Sequence, residues 1–179
     1  LIGIFLVSVL ETDVDRVIVN SKNTYETVLE YLKKIGKENV EVVLNENEDL
    51  TQMHDIAGQI EEMKERKIWL KCGGFITIDK TEALTAIDIN SGKFTGKKNS
   101  SKENTIYKVN QEATVEIAKQ LRLRNISGII VIDYIDMEEE QDRKNIMNLL
   151  EKELKKDRSK TQIMGFTKLD LLEMTRKKL

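Results

Sequence analysis

The chain has 179 residues, of which 40% are hydrophobic and 34% are charged, with no proline and a single cysteine, Cys72. This composition excludes a disordered chain and predicts a globular protein with one medium domain or two small ones. One cysteine excludes an internal disulfide and a zinc knuckle within the chain, and we expect a reduced, cytoplasmic setting.

The net charge of −2 is unevenly divided along the chain. Residues 1–70 contain 8 Lys and Arg against 14 Asp and Glu, whereas residues 71–179 contain 21 against 17. The basic excess of the second part favours an anionic partner for that part of the protein.

The first ten residues, LIGIFLVSVL, are apolar, and no basic residue precedes them. A membrane-spanning helix needs about 20 apolar residues, and a signal peptide needs a basic start. We therefore expect a buried helix or a buried strand here, and no membrane partner. The chain does not begin with Met, and we expect it to be a piece of a longer protein.

Strand and helix patterns alternate up to residue 66. Residues 14–20 (VDRVIVN) and 40–44 (VEVVL) predict two strands. Between them lies a helical stripe, for which Asn23 and Glu26 predict a capping box. Residues 50–66 predict a second, continuous helix. The alternation is typical of an α/β unit.

The residues from 68 onward predict a second set of strands and helices. Two strands flank the glycine turn at 73–74, and a Gly- and Lys-rich loop covers residues 91–104. The predicted strands are 68–70, 75–79, 83–90 (ALTAIDIN), 129–136 (IIVIDYID) and 161–166, and the predicted helices are 105–122, 138–156 and a final helix after residue 166.

Two of these strands carry acidic residues where apolar residues should continue. Because a strand alternates its faces, Asp88 and Asn90 share a face with Leu84 and Ala86. Asp133 interrupts an apolar run, expected to be buried on both faces, near the carboxyl end of its strand. A carboxylate in such a place is costly unless something binds it.

Ligands gather beyond the carboxyl ends of strands in α/β sheets. If the two strands are neighbours, Asp88, Asn90 and Asp133 converge, and their hard oxygen atoms suit Mg²⁺, or Mn²⁺. A single Asp at a strand end is more often a turn former or a helix cap, so both interpretations remain open here. Asp136 fits a cap, because Glu139 three residues later completes a capping box.

Three long stretches then carry a resemblance to the ribonuclease E/G family. They are GGFITIDKTEALTAIDINSGKFTG, NQEATVEIAKQLRLRNISGIIVIDYIDM and KKDRSKTQIMGFTKLDLLEMTRKKL. The resemblance runs almost continuously from about residue 68 to 179 and is looser over the earlier residues. It implies an RNase H-like α/β segment at 1–66, followed by a DNase I-like α/β catalytic domain at 67–179.

The resemblance also implies a function. Asp88 and Asp133 fall on the two metal-binding aspartates of the family, and Asn90 falls on the asparagine that supports them. The implied activity is that of a Mg²⁺-dependent endoribonuclease in rRNA processing and mRNA decay. It would cleave single-stranded, A/U-rich RNA and leave 5′-phosphate and 3′-hydroxyl ends. The alternative is an RNA-binding or subunit-assembly module without turnover.

The resemblance further implies what lies outside the chain. The family's OB-fold RNA-binding domain, most of its 5′-end sensor and its zinc-linked subunit contact are expected elsewhere in the full-length protein. That protein is expected to be a homo-oligomer, and this chain its catalytic-core fragment.

Basic and aromatic residues supply the candidates for RNA binding. A lysine-rich loop beside Asp88 could line a phosphate track and offer a stacking ring. Arg122 and Arg124 equally fit structural ion pairs, and Lys160 falls on an arginine of the family's 5′-monophosphate pocket. The candidates are Lys93, Phe94, Lys97, Lys98, Arg122, Arg124 and Lys160.

Three further residues are expected to have ordinary structural roles. Trp69 is expected to be a packing residue. Phe75 is a possible stacking ring but is expected to lie in the core. The single histidine, His54, is expected to be a surface or packing residue.

Overall fold

The computed structural model describes residues 14–47, 49–53, 55–92 and 102–178. The chain divides into two compact units, Leu1–Glu61 and Glu62–Leu179. Helices and strands occur in both, so the predicted α/β class is confirmed. The names RNase H-like and DNase I-like, and the predicted domain boundary, stay predictions.

The first unit contains a two-stranded parallel sheet. Strands β1 (Arg16–Val19) and β2 (Glu41–Leu44) are joined by helix α1 (Lys22–Lys34). A parallel pair needs such a crossover, because a tight turn can only reverse the chain. Two apolar residues of the helix, Val28 and Leu32, are buried with apolar residues of the strands.

The predicted capping box of α1 is wrong. Ser21 is the N-cap, and its side-chain oxygen accepts a hydrogen bond from the backbone N–H of Thr24 at 3.2 Å. The helix therefore begins before Asn23. Serine is as good an N-cap as asparagine, so the cap alone does not distinguish the two start points.

The predicted continuous helix over residues 50–66 is also wrong. Helix α2 (Leu50–Met53) and helix α3 (Ile56–Glu62) are separated by Asp55, which has a φ of +46°. Its side chain accepts a hydrogen bond from the N–H of Gly58 at 3.3 Å. Aspartate tolerates a positive φ and competes for local backbone donors, which explains the break.

The second unit is built on a six-stranded sheet in the order β3-β4-β5-β6-β8-β7. Only β5 and β6 pair in parallel, while every other neighbouring pair of this sheet is antiparallel. The strands are β3 (Lys67–Trp69), β4 (Phe75–Lys80), β5 (Leu84–Asn90), β6 (Gly128–Asp133), β7 (Thr161–Phe166) and β8 (Leu171–Arg176).

Two helices cover one face of this sheet. Helix α4 (Lys102–Leu123) connects β5 to β6, and helix α5 (Glu140–Leu154) follows β6. Their apolar stripes pack on alternate strand residues in one core. Side chains on the other sheet face are exposed or half-buried. Ile129 is 52% exposed, so the expectation that its strand is buried on both faces is wrong.

Two segment predictions of the second unit need correction. Helix α4 begins at Lys102, inside the predicted loop. The predicted final helix is instead strand β8, in which Leu172 and Met174 are buried and alternate with exposed Glu173 and Thr175. Pairing with β6 and β7 on either side fixes this segment as a strand.

Across the described ranges, no helix is both long enough and apolar enough to cross a membrane.

Candidate active site

Asp88 and Asp133 occupy the same register position on the parallel strands β5 and β6. The predicted adjacency of these strands is confirmed. The residues beside them in sequence, Ile87 and Ile132, are buried under the helices, so both carboxylates project from the opposite, exposed face. The two acids therefore lie side by side at the carboxyl ends of their strands.

A glycine turn packs against the end of β5 and fixes where that strand stops. A Cβ added to Gly74 would lie 2.9 Å from the carbonyl oxygen of Asn90. A Cβ added to Gly92, whose φ is +58°, would lie 2.5 Å from the carbonyl oxygen of Gly73. Both contacts are too close for a side chain, so these positions need glycine.

Asn90 contacts the carboxylate of Asp88 directly. Its side-chain Nδ2 donates a hydrogen bond to Oδ2 of Asp88 at 2.5 Å. The two residues are two positions apart on one strand, so their side chains leave the same face. This contact limits the rotation of the Asp88 carboxylate.

A cleft of about 380 Å³ lies over the acidic pair. Partial burial raises the pKa of Asp133 above its ordinary value, and the negative charges of Asp88 and Asp136 raise it further. Like charges this close favour a bound cation. The cleft is lined by Asp88, Ile89, Asn90, Ser91, Asp133, Tyr134, Ile135 and Asp136.

Side chains of helix α4 form hydrogen bonds with the segment that follows Asp133. The buried Asn110 donates from Nδ2 to the carbonyl of Ile135, and its Oδ1 accepts the N–H of the same residue. One turn later, the hydroxyl of Thr114 lies 2.9 Å from the hydroxyl of the buried Tyr134. These contacts fix the backbone next to the acidic pair.

The donor set of the cleft fits a hard cation. Mg²⁺ is commonly held by one or two carboxylates, with water and substrate phosphate in the remaining positions. Asp88 and Asp133 provide two such carboxylates. Within the parts of the chain that the structure describes, no group of three or more His, Cys, Asp or Glu could hold a metal. A site enclosed by protein ligands alone is therefore not seen among those residues.

A cationic and aromatic cluster lies on the same sheet face. Trp69 is 60% exposed, so its predicted packing role is wrong. Its ring meets that of the half-buried Phe75 edge to face, with centroids 5.3 Å apart. Nζ of Lys67 lies 4.0 Å from the Trp69 centroid and 3.6 Å from the Phe75 centroid.

A salt bridge borders this cluster. Nη2 of Arg66 donates to Oδ2 of Asp79 at 2.6 Å, and both side chains are exposed. The hydrogen bond to Asp79 raises the pKa of Arg66, and the charge of Asp88 adds to that shift. The guanidinium of Arg66 therefore interacts mainly with Asp79 and more weakly with the charge of Asp88.

The structure does not bring Arg122, Arg124 or Lys160 next to the acids. Arg122 donates to the carbonyl of Glu153 at 3.4 Å, and Arg124 donates to the side-chain oxygen of Gln120 at 2.7 Å. All three predicted RNA contacts flank the start of β6 or β7, whereas Asp133 ends β6 about 16 Å further along. Their roles in RNA binding stay predictions.

Other predicted residues fall outside the described residues. These are Lys93, Phe94, Lys97 and Lys98 of the loop, together with His54. Their predicted roles stay as stated from the sequence. The metal-binding role of Asp88 and Asp133 and the supporting role of Asn90 also stay predictions.

The sequence interpretation missed two residues, one that lines the cleft and one that holds the backbone beside it. Asp136 was assigned to a helix cap, but the N-cap of α5 is Glu139, which makes no side-chain cap bond, and Asp136 lines the cleft instead. Asn110 is fully buried in α4, one position after the buried Val109. A polar residue beside an apolar helical stripe was the signal that could have identified it.

Comparison with known proteins bears on the whole chain. The model of the ribonuclease E/G family matches residues 1–179. Ribonuclease G of Salmonella typhimurium is 44% identical over 170 residues, and ribonuclease G of Escherichia coli is 43% identical. Each match covers 94% of this chain and 34% of the relative. Ribonuclease E of a Nostoc species is 38% identical over 93% of this chain and 25% of the relative.

The chain thus spans about a third of the length of the curated ribonuclease G relatives that it matches. The family match extends across both compact units and includes the strands that carry Asp88 and Asp133. The chain belongs to the ribonuclease E/G family.

Proposed function

We propose that this chain is the catalytic core of a metal-dependent endoribonuclease. The observation that carries the proposal is the register of Asp88 and Asp133 on adjacent parallel strands, with both carboxylates on one exposed face. The names of the relatives, ribonuclease G and ribonuclease E, support RNA as the substrate.

The cation of this proposal is Mg²⁺, with Mn²⁺ as the alternative. Asp88 and Asp133 would hold it, and Asn90 would keep the carboxylate of Asp88 in place through the hydrogen bond from Nδ2. When bound, such an ion orients the scissile phosphate and stabilises the charge that develops on its oxygens. Burial and the charges of Asp88 and Asp136 raise the pKa of Asp133, and a bound cation would offset that cost of its charged form.

The chemistry of the cleft favours hydrolysis by water. Cleavage through the ribose 2′-hydroxyl commonly uses two acid–base groups, often histidines. Among the residues that the structure describes, those lining this cleft instead provide carboxylates, an amide, hydroxyls and isoleucine side chains. Attack by water with departure of the 3′-oxygen leaves a 5′-phosphate and a 3′-hydroxyl on the products.

The finer parts of the proposal rest on family membership. They are a single-stranded, A/U-rich substrate, a role in rRNA processing and mRNA decay, a homo-oligomeric full-length protein and a cytoplasmic location. The reduced state expected of a chain with one cysteine agrees with the last of these.

A cleavage assay with end-group analysis tests the proposal. The 179-residue chain is incubated with a labelled, unstructured A/U-rich RNA in Mg²⁺, in Mn²⁺ and in EDTA. We expect cleavage in the metal-containing reactions alone, with 5′-phosphate and 3′-hydroxyl ends. Asp88→Asn and Asp133→Asn should each lose cleavage and keep the fold, because each substitution removes charge at nearly constant shape.

The matched control is Glu173→Gln. Glu173 is an exposed acid on the same sheet, across from Val131 of β6. This variant should cleave at the parent rate. Undiminished cleavage in EDTA, or products with 2′,3′-cyclic phosphate ends, would contradict the proposal. RNA binding without turnover in any metal would favour an RNA-binding or assembly module.

A further inference from the structure

We infer that Trp69, Phe75 and Lys67 form a stacking site for one base of single-stranded RNA beside the acidic pair. The inference rests on the proposed function and deepens it, because it names the residues that would hold the substrate next to Asp88 and Asp133. The three residues are called the stacking cluster below.

The register of the sheet places the stacking cluster and the acids on one face. Trp69 pairs with Phe75, which pairs with Asn90. Lys67 pairs with Thr77, which in turn pairs with Asp88. Two inter-strand spacings separate β3 from β5, which amounts to about 10 Å. A short length of extended RNA can cover that distance with one phosphate at the acids.

The exposed side chain of Trp69 offers apolar surface on which a base can stack. Trp69 is 60% exposed and so leaves apolar surface in water, although its ring contacts that of Phe75 edge to face. Lys67 lies over both rings and approaches Trp69 from one side. A flat ring fixed by its neighbours and open to solvent matches the surface that unpaired bases stack on.

The charges around the rings favour a nucleotide over an apolar peptide. Lys67 contributes an ammonium group that can contact a phosphate while it lies over the rings. Arg66, next to Lys67 in sequence, contributes a guanidinium group that also pairs with Asp79. Aromatic rings interleaved with cations are the usual way in which proteins bind single strands without reading sequence.

The fluorescence of Trp69 gives a direct test, since it is the only tryptophan of the chain. The chain is titrated with oligouridylate in EDTA, so that no metal-dependent cleavage occurs. The probe is compared with a matched oligomer in which every base is removed. We expect the normal oligomer to quench the emission by stacking. The abasic oligomer should bind about ten-fold more weakly and cause little quenching.

Substitutions provide a second readout. In a binding assay with end-labelled oligouridylate, Trp69→Ala should weaken binding about ten-fold, whereas Trp69→Phe should retain most of the affinity. The control is Ile129→Ala, because Ile129 is exposed on the same face near the opposite end of β6. That variant should bind like the parent. In cleavage assays, Trp69→Ala should raise KM and change kcat little.

The outcomes separate this inference from the proposed function. If the parent cleaves RNA but Trp69→Ala binds and cleaves equally well, the stacking site is wrong and the endoribonuclease proposal stands. Equal quenching by the abasic oligomer would also overturn the stacking site. If the parent neither binds nor cleaves RNA, the proposed function fails and this inference fails with it. Quenching that depends on protein concentration without RNA would assign the cluster to a contact between copies of the chain, and so overturn the inference.

Discussion

Asn110 holds the backbone of Ile135 with both ends of its side-chain amide. Nδ2 donates to the carbonyl at 2.8 Å, and Oδ1 accepts the N–H at 3.2 Å. Asn110 is fully buried in α4, and Ile135 lies two residues beyond Asp133. The backbone next to Asp133 is therefore held by a polar contact between a helix and the segment that leaves β6.

Replacing Asn110 should affect both stability and cleavage. Asn110→Ala leaves the N–H and the carbonyl of Ile135 without their partner, which costs about 1–3 kcal/mol per buried group. We expect a clear loss in the free energy of unfolding in urea, and a lower kcat because Asp133 is less well placed. Asn148→Ala, at an exposed position of α5, is the control and should be close to neutral. Parent-like stability of Asn110→Ala would contradict the structural role.

Metal binding should stabilise the parent through Asp88 and Asp133. A ligand that binds only the folded state at ten times its Kd adds about 1.4 kcal/mol to the free energy of unfolding. We expect Mg²⁺ to raise the Tm of the parent and of Glu173→Gln, and to leave the Tm of Asp88→Asn unchanged. A scan of Tm against Mg²⁺ concentration measures this.

Without metal, the order of the Tm values of the parent and of Asp88→Asn should differ from the order with Mg²⁺. Burial first, and then the charges of Asp88 and Asp136, raise the pKa of Asp133 and disfavour its charged form in the folded protein. Removing either charge relieves that repulsion. In EDTA at neutral pH, Asp88→Asn should therefore have a Tm at or above that of the parent. A large loss of Tm in EDTA would mean that Asp88 supports the fold, and the cleavage result for that variant would no longer bear on metal binding.

The buried ion pair between Arg176 and Asp157 should be costly to break. Nε of Arg176 donates to Asp157 at 2.7 Å, and neither side chain is more than 2% exposed. The guanidinium also donates to the carbonyl of Ile126. Arg176→Met should cost about 3–5 kcal/mol, because it leaves the carboxylate buried and unpaired. Chemical unfolding measures the loss.

The control for this prediction is an exposed pair of the same kind. Arg16 contacts Glu41 at 2.6 Å, and both side chains are more than half exposed. Arg16→Gln should cost less than about 1 kcal/mol, because solvent screens the pair. Similar losses for the two variants would show that burial of Arg176 does not decide its contribution.

The same carboxylate should make stability depend on pH. Burial opposes the ionised form of Asp157, but hydrogen bonds from Arg176 and from the N–H of Ser159 prevail and lower its pKa below the ordinary value of 3.8. A lowered folded-state pKa means that the stabilisation is complete above the unfolded-state pKa and is lost as pH falls through the folded-state pKa. Unfolding measured from pH 6 to pH 2 should show this loss.

Asp157→Asn tests the assignment of that pH dependence. The variant should be less stable than the parent at pH 6, and its stability should fall less steeply below pH 4, because the group that takes up the proton is gone. If the two proteins lose stability in parallel over this range, other carboxylates account for the acid sensitivity.

The sequence predicted what depends on local pattern. The alternation in ALTAIDIN places Asp88 and Asn90 on the face away from Ile87, and the structure has that arrangement. The run IIVIDYID predicts a strand whose carboxyl end carries Asp133, and the parallel pairing of the two strands follows the general behaviour of α/β sheets. Local periodicity was therefore enough to place the two acids on one sheet face, whereas their metal-binding role comes from the resemblance and stays a prediction.

The features that the sequence did not predict depend on contacts between segments that are distant in sequence. The segment LLEMTR consists mainly of good helix formers, yet pairing on both sides makes it a strand. The exposure of Trp69 depends on which strands lie beside β3, and the role of Asn110 depends on where α4 crosses the chain after β6. The intrinsic preference of a segment for helix or strand carries no information about which segments lie beside it.

The lysine-rich segment that follows β5 in sequence should make RNA binding depend on salt. Lys93, Lys97 and Lys98 follow Asp88 within ten residues, and their charges would neutralise phosphates. Each phosphate contact on a single strand contributes about −0.7 to the slope of log K against log salt. Three or four contacts give a slope of about −2 to −3, so binding of labelled oligouridylate should be nearly lost above physiological salt.

Replacing all three lysines by alanine should flatten this slope and weaken binding of oligouridylate and oligoadenylate alike, because phosphate contacts carry no base information. Trp69→Ala is the informative comparison, since loss of a stacked ring should lower affinity and leave the slope unchanged. Titrations at three salt concentrations with the parent and both variants separate the two contributions. A slope near zero for the parent, or an unchanged slope for the triple variant, would show that this loop does not carry the phosphate contacts.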